Sequence, residues 1–189
     1  MSERELRAVG VLVARDALDD AVRAGRDALP KETGGILLGF RTPTQVVVTR
    51  VIVVEDPRSS RTRYQRRRRR AQQQLMAALA DAPGVLGYVG EWHTHPENQQ
   101  PSSTDVSAVA ETARLAGGPI AMLVIAYPGT GPPRVHARAA LRRGEWPIPA
   151  IDIVDVLANA LTISEDTGDA IEHEASATIT TIDTEGARS

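Results

Sequence analysis

Residues 85–105 have the sequence VLGYVGEWHTHPENQQPSSTD. The first half, residues 85–95, is rich in apolar and aromatic residues and predicts a central β-strand. Pro96 ends this strand, because proline cannot donate to the hydrogen-bond ladder of a sheet. Ser102 or Ser103 can then cap a helix, since the apolar residues that follow recur at i, i+3, i+4 and i+7. These apolar residues are Val106, Val109, Ala110 and Ala113.

The predicted strand–loop–helix unit carries three candidate metal ligands. His93 and His95 are two residues apart on a strand, so their side chains point to the same face. Asp105 falls in the first turn of the following helix, from which its carboxylate can return towards the two imidazoles. Two imidazoles and one carboxylate suit a catalytic Zn²⁺ site with water in the fourth position, and zinc lowers the pKa of that water to about 7.

Two further residues are candidates for the chemistry of such a site. Hydrolysis needs a group that takes the proton of the attacking water and passes it to the leaving amine. Glu32 is the candidate, since it precedes a predicted strand beside Gly34 and Gly35, which allow close backbone approach. Ser102 lies about one helical turn before Asp105, so its hydroxyl could donate to the oxyanion, cap the helix, or do both.

Strands and helices alternate along the rest of the chain. Strands are predicted at 8–14, 36–40, 45–54, 119–127 and 134–141, and helices at 17–29 (with Asp16 as N-cap), 66–80 and 150–161. Alternation of this kind predicts a single α/β domain, with a mixed sheet flanked by helices.

Composition excludes several classes of protein. The chain has 189 residues, 42% of them hydrophobic, and contains no cysteine, which excludes disulfides, thiolate nucleophiles and cysteine-ligated metals. The sequence has no apolar run of the roughly 18 residues that a membrane helix needs, and no secretory signal pattern. We therefore expect a cytoplasmic protein with no membrane contact.

Charge is distributed unevenly. Residues 1–150 contain 21 basic and 15 acidic residues, whereas residues 151–189 contain one and nine. The segment 164–189 is acidic and poor in large apolar groups, so we predict a disordered tail. Five arginines at 66–70 could bind nucleic acid, but only Tyr64 offers an aromatic ring nearby, and a solvated helix face is the simpler interpretation. An acidic protein surface, or the acidic tail itself, could also dock on these arginines.

The order Glu, His-x-His-Pro and Ser-x-x-Asp resembles the signature of the JAMM or MPN-plus zinc metalloproteases of the JAB/MPN superfamily, and most closely its prokaryotic branch. The resemblance covers residues 8–145 and implies a cytidine-deaminase-like fold over residues 1–148. It also implies that His93, His95 and Asp105 are ligands, that Glu32 is the base and that Ser102 is the oxyanion donor. One spacing differs: the family has six residues between the proline and the serine, and this chain has five before Ser102.

The same resemblance implies a function. Relatives cleave after the C-terminal glycine of ubiquitin or a ubiquitin-like protein, and occur beside activating- and conjugating-enzyme homologues, including in anti-phage defence operons. We therefore expect a zinc isopeptidase or peptidase acting on a ubiquitin-like or sulfur-carrier protein, whose glycine-ended tail would add as a strand to a sheet edge. The alternative is a non-catalytic JAMM-fold binding module, or a RadC-like DNA-associated protein that uses the arginines at 66–70.

Overall fold

The computed structural model describes residues 10–42, 45–80, 82, 84–116, 118–143, 150–156 and 158–161. The elements are β1 (Gly10–Ala14), α1 (Arg15–Ala28), β2 (Gly34–Arg41), β3 (Gln45–Val53), α2 (Arg68–Leu79), β4 (Gly87–His95), α3 (Ser103–Leu115), β5 (Ile120–Ala126), β6 (Arg134–Arg143), β7 (Ala150–Val156) and β8 (Ala158–Leu161). None of the helices in this part of the chain is long and apolar enough to cross a bilayer.

The strands form one mixed sheet in the order β7-β6-β5-β4-β2-β3-β1-β8. Three neighbouring pairs are parallel (β1 with β3, β1 with β8, and β4 with β5), and the other pairs are antiparallel. As a result β1, β3, β4, β5, β7 and β8 all end at the same side of the sheet, which we call the carboxyl end. This arrangement confirms the predicted α/β class.

Helices cover both faces of the sheet. Helix α1 buries Ala17, Ala21 and Gly25 against one face, over a core that includes Val13, Leu37 and Trp92. Helices α2 and α3 pack on the opposite face. Helix α3 buries Val109 and Ala113, two residues of the apolar pattern that predicted it.

Up to β6 the predicted elements agree with the structure to within a few residues, with one small exception at α1. Strand β1 continues directly into α1 without a loop, so Ala14 is the N-cap and makes no side-chain cap hydrogen bond. Asp16 therefore lies inside the first turn of α1 instead of capping it. Its negative charge still interacts favourably with the positive end of the helix dipole.

The predicted short helix at 150–161, within a predicted terminal segment 149–163, is wrong, because the described part of this segment forms two strands. Strand β7 pairs antiparallel with β6, and β8 pairs parallel with β1, so each extends one side of the sheet. The β7 sequence AIDIVDV contains four β-branched residues, and such side chains favour a pleated strand over a helix. The sheet therefore continues beyond the predicted domain limit at residue 148 to Leu161, and the predicted acidic tail at 164–189 lies outside the described residues.

Candidate metal centre

The end of β4 carries the two histidines. The strand lies between β2 and β5, and its alternation places His93 and His95 on the face that α2 and α3 cover. The two Nε2 atoms are 3.1 Å apart, and the side chains are 13% and 8% exposed. The strand thus presents two neighbouring, largely buried imidazoles at the carboxyl end of the sheet.

Helix α3 brings the third group to them. Ser102 is its N-cap, and the Ser102 hydroxyl accepts the Asp105 N–H while the Asp105 carboxylate accepts the Ser102 N–H, which is a complete capping box. This cap fixes Asp105, whose Oδ1 is 3.3 Å from His93 Nε2 and whose Oδ2 is 3.6 Å from His95 Nε2. One ligand atom from each of the three residues fits within 4.8 Å of the others.

The donor set fits a zinc ion. Ligand atoms around a tetrahedral Zn²⁺ with bonds of about 2.0–2.1 Å lie about 3.3 Å apart, close to the separations seen here. The other ring nitrogen of His95, Nδ1, donates to the Gln99 carbonyl at 3.2 Å, which leaves Nε2 as the ligating atom. Metal-binding histidines typically have such a second partner.

Electrostatics favours an ionised carboxylate in this cluster. Burial alone would raise the pKa of Asp105, but hydrogen bonds from His93, His95 and Ser102 outweigh burial and hold that pKa well below its usual range. The hydrogen bond to Asp105 raises the pKa of His95, although burial opposes this effect. A divalent cation would take the place of the proton that these groups share.

Glu32 lies beside the cluster and outside it. Its backbone N–H donates to the Ser60 carbonyl at 2.8 Å, and its carboxylate accepts the Tyr64 N–H. Burial raises the pKa of Glu32 above its ordinary value, and positive charge on His95 and His93 opposes the rise. The structure therefore brings Glu32 within electrostatic range of all three predicted ligands, as a half-buried carboxyl.

The backbone around Glu32 is held close to β4. A Cβ at Gly34 would lie 2.4 Å from the Trp92 carbonyl oxygen and 2.8 Å from His93 Cβ, so only glycine allows this approach. Thr94, fully buried on the opposite face from the histidines, accepts the Thr33 N–H at 2.9 Å. The Thr94 N–H donates to the Thr33 carbonyl at 2.8 Å. Thr94 therefore holds the turn that carries Glu32, a role that no sequence motif indicated.

The segment 54–67 completes the surroundings of Glu32, and its organising residue was also missed. The Asp56 side chain is 1% exposed. Its carboxylate accepts hydrogen bonds from the backbone N–H groups of Arg58 and Gln65 and from the Arg67 guanidinium, at 3.0–3.1 Å. This carboxylate folds the segment back on itself, so that Ser60 and Tyr64 reach Glu32. The Asp-Pro dipeptide at 56–57 indicates a turn, but nothing local shows that this acidic residue is the buried one.

Ser102 has both of its hydroxyl interactions inside its own helix turn. Besides capping Asp105 N–H, the hydroxyl donates to Asp105 Oδ2 at 2.7 Å. Ser102 is therefore the helix cap that the sequence offered beside Ser103, and it contacts a predicted ligand directly.

A groove of about 420 Å³ lies between α2 and α3, and its lining includes none of Glu32, His93, His95 and Asp105. Its lining includes Tyr88 and Glu91 of β4, Ala71 and Leu75 of α2, and Ala108 and Thr112 of α3. Glu91 shares a strand face with His93, and Ala108 shares a helix face with Asp105. The edge strands β7 and β8 lie three and four positions from β4, and strand addition of the substrate tail at a sheet edge stays a prediction.

Comparison with known proteins identifies the family. The sequence profile described as prokaryotic homologs of the JAB domain matches residues 14–141. A CD-NTase/cGAS isopeptidase of Escherichia coli (strain TW11681) is 32% identical over 96 residues, which cover 50% of this chain and 61% of that protein. The chain thus spans less than two thirds of that relative.

A solved structure shares the fold. The solution structure of protein DSY2949 from Desulfitobacterium hafniense superposes with a TM-score of 0.53 at 20% identity, covering 80% of this chain and 94% of that one. At this identity the likeness concerns the fold alone. The profile match, however, spans more than half of the chain and includes Glu32, His93, His95 and Asp105, so the chain belongs to the prokaryotic JAB-domain family.

Proposed function

We propose that this chain is a zinc-dependent isopeptidase or peptidase that cleaves after the C-terminal glycine of a ubiquitin-like or sulfur-carrier protein. The observation that carries the proposal is the convergence of His93, His95 and Asp105 with Glu32 beside them. Membership of the JAB family and the isopeptidase named among the relatives support it.

Each residue has a role that follows from its surroundings. His93, His95 and Asp105 would hold the ion, which when bound supplies Lewis acidity for the attacking water and the substrate carbonyl. Glu32 takes the proton of that water and delivers it to the leaving amine, since amide cleavage requires a protonated nitrogen. Its raised pKa suits a group that must both accept and release a proton.

The shape of the surroundings supports an extended protein segment as substrate. The groove between α2 and α3 has polar and apolar lining residues, and one of them, Glu91, shares a strand face with His93. Glycine at the end of such a segment has no side chain to collide with the residues around the scissile bond. The groove would therefore hold the residues that precede the scissile bond.

A cleavage assay on a matched set of variants tests the proposal. The substrate is a fusion of a reporter to the C-terminal glycine of a ubiquitin-like or sulfur-carrier protein. Zinc content of each purified variant is measured in parallel. We expect about one zinc per chain and release of the reporter after the glycine by the unaltered protein.

Glu32→Gln keeps the size of the side chain but removes the base, so turnover should fall at least about 10²-fold while zinc content stays the same. His95→Ala should lose both zinc and turnover. Glu97→Gln is the control, because Glu97 is an exposed carboxylate whose partner is Arg61. Loss of zinc from Glu32→Gln would make Glu32 a ligand, and unchanged turnover would remove it from the chemistry.

A further inference from the structure

The segment 58–70 contains eight arginines and no acidic residue. Four of these arginines have carboxylate partners: Arg61 with Glu97, Arg66 with Glu91, Arg67 with Asp56 and Arg70 with Glu55. The other four, Arg58, Arg63, Arg68 and Arg69, are exposed and have no carboxylate partner among the described residues. We call these four the arginine surface.

The arginine surface is held in shape by the rest of the segment. Asp56 fixes the backbone of Arg58 and the side chain of Arg67, and a bridge between Ser60 and Arg63 closes the turn. Arg68 and Arg69 follow at once in the first turn of α2, which contains no acidic residue. Four unneutralised guanidinium groups thus stand on one short ordered segment, and an anionic polymer is the complementary ligand.

We infer that the acidic segment 162–189 of the same chain docks on the arginine surface. This segment contains seven acidic residues and one arginine. Five of the acidic residues fall within ten positions: Glu165, Asp166, Asp169, Glu172 and Glu174. Their density matches the density of the four arginines.

The topology of the sheet brings the two segments together. Strand β8 ends at Leu161 beside Ala14 of β1, and β3 lies next to β1 on the other side. All three strands end at the carboxyl end of the sheet, where the segment after Val53 leads to the arginines. Leu161 and Val53 are separated by two strand spacings and by the rise of a few residues along the strands, in total about 20 Å. About six extended residues span this distance.

Attachment to the same chain makes this contact strong relative to contacts with free polyanions. A tethered ligand acts at an effective concentration of the order of millimolar, so even a weak charge pairing is largely formed. The docked segment therefore masks the arginines from nucleic acid and from other acidic proteins. Arg68 also lines the groove of the proposed function, but the tests below measure no turnover and so are separate from the peptidase assay.

The contact is measured on the full chain by paramagnetic relaxation in NMR spectra. Because the chain has no cysteine, Ser176→Cys gives a single site for a nitroxide label. At about 20 mM salt the label should broaden the amide signals of residues 66–72, and about 1 M salt should abolish the broadening, since the Debye length falls from tens of ångströms to about 3 Å. Absence of selective broadening at low salt would overturn the inference.

Charge variants identify the surface. Arg68→Glu together with Arg69→Glu should remove the broadening, whereas Arg114→Glu, an exposed arginine in the last turn of α3, should not. Broadening that survives the double variant would show that the segment docks elsewhere.

A binding assay with a labelled 20-nucleotide single strand tests the masking. Replacing the five clustered acids at 165–174 with Asn or Gln should tighten DNA binding at least about tenfold, and the tightening should depend on Arg68 and Arg69. Equal affinity before and after neutralisation would overturn the masking. Tight DNA binding by the unaltered chain at about 0.15 M salt would make nucleic acid the occupant instead.

Discussion

The hydroxyl of Ser102 is engaged twice by Asp105, and these two contacts have different consequences. Accepting the Asp105 N–H serves the helix, whereas donating to Asp105 Oδ2 serves the carboxylate. Only the donated hydrogen can be redirected to a developing oxyanion, and it can be redirected without loss of the cap. A single side chain can therefore support both the helix and the reaction.

Ser102→Ala and Ser102→Gly separate the two roles. Alanine should cost about 1 kcal/mol of stability as a poor N-cap, whereas glycine should cost only a few tenths. If the hydroxyl is an oxyanion donor, both variants should lose about 10²-fold or more in turnover. Thermal melting and the cleavage assay measure the two effects.

Ser103→Ala is the matched control, since this neighbouring hydroxyl is not part of the capping box. It should leave both melting and turnover unchanged. If Ser102→Gly instead has nearly the turnover of the unaltered protein, and turnover falls only as stability falls, then Ser102 serves only as a helix cap.

Residue spacing predicted the metal ligands better than it predicted their surroundings. His93, His95 and Asp105 lie in one strand–loop–helix unit, so local periodicity alone brings them together. Glu32 lies about 60 residues earlier, and only family resemblance connected it to them. The partners of Glu32, Ser60 and Tyr64, depend on the fold of a third segment, which no local pattern encodes.

At the scale of elements, the irregular segment 54–67 behaves as a structured unit because of Asp56. Replacing Asp56 with alanine would leave two backbone N–H groups and the Arg67 side chain without their acceptor. We expect a loss of about 1–3 kcal/mol in unfolding free energy, and lower turnover because Ser60 and Tyr64 no longer hold Glu32. Zinc content should not change.

Glu55→Ala is the control for this prediction, because Glu55 is 72% exposed and its pair with Arg70 contributes about 0–1 kcal/mol. Urea unfolding and zinc analysis of both variants provide the measurements. An Asp56→Ala protein with undiminished turnover would show that Glu32 is held by other contacts.

Acid should weaken the same unit. Burial would raise the pKa of Asp56, but hydrogen bonds from Arg58, Arg67 and Gln65 outweigh it and hold the pKa below its ordinary value. The stabilisation is therefore complete above the ordinary aspartate pKa of about 3.9 and is lost as pH falls through the lower folded value. The stability difference between the unaltered protein and Asp56→Asn, from urea unfolding at pH 7 and near pH 3, should shrink in acid.

The predicted helix near the carboxyl terminus shows where periodicity is ambiguous. The segment 150–161 is short and apolar on more than one face, so its pattern fits either a helix or a strand. The segment forms strands because β6 and β1 would otherwise have an unpaired edge, and β7 and β8 pair with these edges. Pairing with another strand is a property of the assembled sheet and not of the local sequence, and this explains the error.

For the whole molecule, the core and the metal site are largely separate. The main apolar cluster lies between α1 and the sheet, on the face opposite His93 and His95. We therefore expect the protein to stay folded after chelation. Zinc at about 100 times its dissociation constant should add about 2.7 kcal/mol, which for a domain of this size raises the melting temperature by roughly 5–10 °C.

Circular dichroism melting with a chelator and with zinc tests this expectation, and His95→Ala should not respond to zinc. Loss of far-ultraviolet signal on chelation at room temperature would show that the ion is needed for folding.

The common direction of six strands also has a consequence for engineering. The connections from β2 to β3, from α2 to β4 and from α3 to β5 all lie at the amino end of the sheet, away from the histidines. Gly84, in the second of these connections, is exposed, and a Cβ built there meets no atom within 4 Å. A fluorescent domain inserted after Gly84 should therefore leave the opposite end accessible, which would make this protein a scaffold for a genetically encoded reporter.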